Sequence, residues 1–243
     1  MKRRTISFSP TSNDIVGLID PPTPAFKVLP PWYKAQPVTT NGEDLRIQDR
    51  GVVNVTVKKC MPVLDDLIAG YIVCLASDVQ VVSDENQNQS FHWSLILPDT
   101  VEPLISSHST AQVSHFPIPN GYSINPFKFT NYWKIKTPPG YSCLFKHPVW
   151  HGEVPFLSLS GIVDTDTHPV PVNFPFLIRS GWSGVIYAGT PIMQIVPFRR
   201  EFWSSEVVAD DSECSLGRKE YNKSSRKMMN RYKENWREVK QWK

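Results

Sequence analysis

Asp164 and Asp166, one residue apart in GIVDTDT, are the side chains of this 243-residue chain best spaced for proton chemistry. On a strand, residues two apart share a face. Two carboxylates on one face push one pKa up, which divides acid work from base work. The same run, Asp164-Thr165-Asp166-Thr167, also suits a strand-end turn whose short polar side chains bond their own backbone. Both readings stay open, and Asp164 is the single catalytic candidate. His147, His151 and Glu153 share parity in KHPVWHGE and are metal-ligand types. Pro148 and Gly152 interrupt a regular strand there, so a solvated loop is expected and no metal site is assigned. The third group is the tail 218–243, whose ten Lys/Arg and three Glu leave a charge of +7, against −4 for the rest. With Tyr221, Tyr232, Trp236 and Trp242 interleaved, its composition suits phosphate contact and allows nucleic acid as a partner. The bland alternative is a docking helix that buries a Met229/Trp236 face and leaves the charges solvated.

The elements that would carry these residues read as strands. Pro is abundant at 22 and Gly sparse at 12, and the prolines punctuate short extended runs. Val53, Val55 and Val57 alternate in GVVNVTV. AGYIVCLASDVQVV reads as two β stretches bent at Ser77-Asp78, and FHWSLIL alternates Phe91, Trp93, Leu95 and Leu97. Further strands are expected at 132–136, 141–146, 156–163, 173–179, 183–188 and 191–198. Turns every 8–12 residues are the spacing of a sandwich or barrel. Residues 98–130 read as a long surface excursion. The expected organisation is an extended N-terminal arm over 1–50, a β domain over 51–203, and a linker and basic C-terminal helix over 204–243. In that helix Met229, Tyr232, Trp236 and Val239 recur at helical spacing. Cys60, Cys74, Cys143 and Cys214 lie far apart, as reduced thiols in a cytosol would. No apolar run reaches the ~20 residues that span a bilayer, and the basic start MKRRTISFSPTSND lacks an apolar stretch. The expectation is no membrane association and a cytoplasmic location.

Four segments, in order, resemble the motifs of the dUTPase and dCTP-deaminase superfamily. They are Ala69-Gly70-Tyr71-Ile72, Thr137 to Phe145 (TPPGYSCLF), Gly161 to Asp166 (GIVDTD) and Gly189 to Val196 (GTPIMQIV). The phrasing IKTPPGYS…GIVDTDT…PVNFPF…AGTPI is also similar to a family of uncharacterised bacteriophage proteins. The superfamily resemblance implies an all-β, distorted barrel or jelly-roll that forms a homotrimer. It further implies a nucleotide pocket in which Asp164 orients water, with Tyr71, Gly161, Asp166, Thr167 and Gln194 around the nucleotide and Mg2+ over the phosphates. The departures are specific. Ile72 stands where the family has a magnesium-binding Asp, Val149 and Trp150 replace its phosphate-loop Ser and Gly, Thr167 replaces a sugar-stacking Tyr, and the Gly-rich C-terminal arm is missing. Two functions are therefore expected as alternatives. One is a nucleotide pyrophosphohydrolase or non-catalytic nucleotide binder. The other is a structural or interaction protein, a virion component, using the β scaffold without catalysis. Phe127, Phe129 and Trp133 are candidates to plug the pocket.

Overall fold

The computed structural model describes residues 4–39, 56–207, 215–219 and 232–242. Short β-branched and aromatic runs between prolines and glycines form its strands. In chain order these are β1 (Ser7–Pro10), β2 (Thr23–Pro24), β3 (Tyr71–Cys74), β4 (Val79–Ser83) and β5 (Gln89–Trp93). They continue with β6 (Ile105–Ser107), β7 (Phe127–Phe129), β8 (Trp133–Lys136), β9 (Tyr141–Lys146) and β10 (Phe156–Ser158). The last four are β11 (Gly161–Val163), β12 (Phe174–Ile178), β13 (Gly184–Ile186) and β14 (Pro191–Arg199). Every pairing among them is antiparallel. The chain is predominantly β, as its alternation indicates. Among the described residues the strands make four open sheets, ordered β1-β8, β10-β12-β7-β6, β11-β9-β14-β3-β2 and β13-β4-β5, and none closes into a barrel.

Phenylalanines fill the core. Phe129 and Phe176, on adjacent strands β7 and β12, stack with centroids 3.9 Å apart, and Phe156 meets Phe129 edge-on at 5.2 Å. Strand β12 lies inside its sheet yet contains Pro175. The Pro175 carbonyl accepts from Leu159 N–H, just past the end of β10. The missing N–H points to that same flank, beyond the last residue of β10, so its loss removes one donor at the end of the ladder.

Several expectations change against this frame. The stretch 98–130 is a surface excursion only in part: residues 108–122 are exposed or half-buried, but β6 and β7 lie within it and β7 is an inner strand of the phenylalanine sheet. Phe127, Phe129 and Trp133 are buried core residues. The cavity beside Phe129 and Trp133 measures about 10 Å³, about one water's worth of space. Strand β5 stops at Trp93, and 156–163 divides into β10 and β11. Of the expected strand 51–57, residues 51–55 lie outside the described residues. Val57 begins a 3-10 turn, Val57–Lys59, that leads into a helix.

The described chain divides into two compact units. The larger joins the residues up to Val28 to Ala69–Arg200 and holds all fourteen strands. The stretch read as an arm supplies it with β1, which pairs with β8, and β2, which pairs with β3. The smaller unit joins Leu29–Ile68 to Glu201–Gln241. It contains two helices the periodicity does not announce, α1 (Pro31–Ala35) and α2 (Met61–Leu67). Both carry Pro in the first turn, where the missing N–H costs nothing. Of the expected linker and C-terminal helix, residues 215–219 are helical, Met229 lies outside the described residues, and Tyr232–Trp236 forms a single π turn. Trp236 is exposed. What this segment docks is charge: Arg237 grips Asp65 of α2 at 2.6 Å and Lys240 reaches the other carboxylate oxygen at 3.1 Å. No helix among the described residues is long and apolar enough to cross a membrane.

Candidate functional site

The two aspartates do lie together, at the end of the five-stranded sheet, and an arginine lies between them. Strand β9 leaves a Pro138-Pro139-Gly140 bend closed by Tyr141 N–H donating to the Pro138 carbonyl at 3.2 Å. Gly140 has φ +82°, as the third position of a type II turn requires. Strand β11 pairs back along β9 with Val163 opposite Cys143, which brings the next residues beside that bend. Strand β14 runs on β9's other side, Arg199 opposite Tyr141, and delivers Arg200 to the same corner.

There the polar groups close on one another. Arg200 forks onto both oxygens of Asp166, with Nη1 to Oδ1 at 2.8 Å, and its Nη1 is 3.2 Å from Asp164 Oδ1. Ser142 Oγ donates to the same Asp164 oxygen at 2.6 Å. Gly140 N–H donates to Asp166 Oδ2 at 2.8 Å, and Arg200 N–H returns to the Gly140 carbonyl at 2.9 Å. Beneath them the hydroxyls of Thr137 and Thr165, both buried, meet at 2.7 Å. The Arg200 fork holds the Asp166 carboxyl down at about 2. The Asp166 side chain is 5% exposed and that of Asp164 60%.

The strand-end turn is present too: Thr167 and His168 N–H both donate to the Asp164 carbonyl, at 3.0 and 2.9 Å. The parity reading and the turn reading are thus combined, and both carboxylates are engaged by one cation. The corner holds three chain segments together.

Of the other expected site residues, Thr167 belongs to this corner's turn, and Tyr71, Gly161 and Gln194 stand apart from it. Tyr71 is buried with its ring edge-on to Phe8 at 5.0 Å. Gln194 is buried opposite both Ile72 and Lys146, and its amide donates to the Ala69 carbonyl at 2.8 Å. Gly161 and Thr167 are exposed. Tyr71, Gln194, Gly161 and Asp164 therefore share one sheet or its margin. Gly70 has its own reason: a Cβ there would sit 1.9 Å from the Ile195 carbonyl oxygen of β14. That glycine of the AGY run permits close strand approach.

A magnesium ion, as the resemblance implies, does not fit these residues. Ile72 is a buried hydrocarbon, Asp164 and Asp166 are already bound to Arg200, and no cluster of three ligand-type side chains converges among the described residues. In the loop after β9, His147 Nδ1 accepts from Ser158 N–H at 3.2 Å, and burial lowers its pKa.

Residue spacing missed two features. Arg200 follows β14 as the second of two arginines, and only the β9–β14 pairing shows which acids it meets. The other feature is a solvent-open groove of about 290 Å³ lined by Glu153, Val154, Arg179, Trp182, Val185 and Tyr187, among others. It contains none of the expected site residues. Comparison with family models, with curated proteins and with solved structures found no match to this chain.

Proposed function

We propose that this chain is a non-catalytic structural or interaction protein whose β sheets form a rigid platform. The observation that carries this reading is the Arg200 corner, where the one catalytic candidate, Asp164, is bonded by Ser142 and Arg200 and its neighbour Asp166 is held ionised. A general base needs a carboxylate aimed at a water beside substrate, and no cavity described above contains Asp164. Phe202 and Trp203 support the interaction side: at 107% and 86% exposure, they present apolar surface of the kind that marks contact sites. Within a bacteriophage, such a protein would be a virion component. Purified protein with Mg2+ and a panel of canonical and modified dNTPs is expected to release no pyrophosphate. Steady release that disappears in Asp164→Ala would overturn the proposal. Mass spectrometry of purified particles of a phage encoding the chain is expected to detect it, and its absence would remove the virion assignment.

A second reading, a dUTPase-like nucleotide pocket completed by neighbouring subunits, draws on one observation. The four resembling segments fall on strands β3, β9, β11 and β14 or their margins, within one sheet. Titration calorimetry against a nucleotide panel tests it; no heat with any ligand rejects it.

A further inference from the structure

The groove and the exposed aromatics suit each other. The groove runs between the margins of two sheets: Glu153 and Val154 precede β10, an edge strand, while Val185 belongs to β13, another edge strand, and Tyr187 follows it. Its surface is built from aromatic and apolar groups that remain in solvent. Tyr187 is 67% exposed, Val185 is also exposed, and the Trp182 ring is folded over Gly184, where a Cβ would come within 2.7 Å of it. At about 290 Å³ it lies at the small end of ligand pockets, which run from roughly 300 to 1,000 Å³. That suits one or two side chains better than a nucleoside triphosphate. Arg179 and Glu153 supply one charge of each sign in the lining.

The chain itself carries a segment with the matching chemistry. Residues 201–207, EFWSSEV, have no helix or strand, and they set Phe202 and Trp203 in solvent between Glu201 and Glu206. Each aromatic side chain can bury about 150–250 Å², and Glu206 on their C-terminal side has the charge to meet the groove's Arg179. We infer that the EFWSSE segment of one copy docks into the Arg179/Trp182/Tyr187 groove of a second copy. This rests on the interaction reading above and names its partner. The contact is head-to-tail, since segment and groove are different surfaces, so repeated copies close into a ring or extend as a filament. One such contact falls below the ~1,000 Å² expected of a stable interface. Assembly should therefore depend on concentration and be reinforced where a ring closes.

Sedimentation velocity on the full chain tests this. The wild type is expected to associate with rising concentration. A segment-defective chain (Phe202→Ala with Trp203→Ala) and a groove-defective chain (Tyr187→Asp) should each sediment as monomers. Mixed, the two should form a one-to-one pair and nothing larger, because only one intact segment and one intact groove then meet. Recovery of that pair also shows that both variants are folded. A synthetic EFWSSE peptide should dissociate the wild-type assembly, and a peptide with both aromatics replaced by Ala should not. Three results would each overturn the contact: a wild type monomeric at all concentrations, association that survives both variants, or a mixture that fails to pair. None of them bears on pyrophosphate release, so the non-catalytic reading fails separately.

Discussion

Asp166 shows how tightly a folded corner can hold a carboxylate. Its carboxylate accepts from a guanidinium fork and a backbone amide, and it is the lowered carboxyl of the corner. A folded-state pKa near 2 lies below the unfolded value of about 3.9. The stabilisation it contributes is therefore complete above about pH 4 and lost as pH falls from there through about 2. Thermal melts across pH 7 to 2 should show wild type losing melting temperature in that window. Asp166→Asn should begin lower at neutral pH and decline less. Asp164→Asn, at an exposed side chain, should change the neutral melting temperature much less. Gly70 makes a steric prediction at the same scale. Its φ of +66° and the Ile195 carbonyl leave no room for a methyl group, so Gly70→Ala should cost at least about 3 kcal/mol in denaturant unfolding.

Among the elements, the phenylalanine sheet and the acidic helix α2 set different kinds of stability. Phe176 sits fully buried on β12 with rings of Phe127, Phe129 and Phe156 around it. Phe176→Ala should cost about 3–5 kcal/mol, as for other buried aromatics, measured by urea titration. In the smaller unit the bond between α2 and the C-terminal segment is ionic. The Arg237 guanidinium holds the Asp65 carboxyl below its usual range. Asp65→Asn should leave the fourteen strands intact by far-UV spectroscopy and increase protease cleavage near 237–240. Unchanged cleavage would show that this clasp does not order the segment.

On the scale of the molecule, the thiols report how the core opens. Burial raises both Cys74 and Cys143 to about 11, whereas Cys60 is exposed. Since the thiolate is the reactive form, alkylation at pH 7.5 should mark Cys60 within minutes. Cys143, fully buried beside Thr165, should react only as fast as the sheet unfolds. Site-resolved mass spectrometry checks both rates. Equal labelling of Cys60 and Cys143 would mean that β9 is far less protected than its packing indicates.

Local pattern alone was enough to read a β chain here, because two-residue alternation between proline and glycine breaks marks strands without knowledge of their partners. It also placed Asp164 and Asp166 on one side and assigned Gly140 to a turn, since both follow from backbone geometry within a few residues. Tertiary structure decided the rest. That 98–130 ends in core strands depends on β7 pairing with β12, some fifty residues later in the chain. That the two acids are engaged rather than available depends on Arg200, which reaches them only because β14 lies beside β9. Gln194 resembles a ligand-binding residue in sequence and is buried in structure, since its neighbours on both sides are strands distant along the chain. Short-range sterics can be read along a sequence, but charge pairing and burial are set by which distant strands lie side by side.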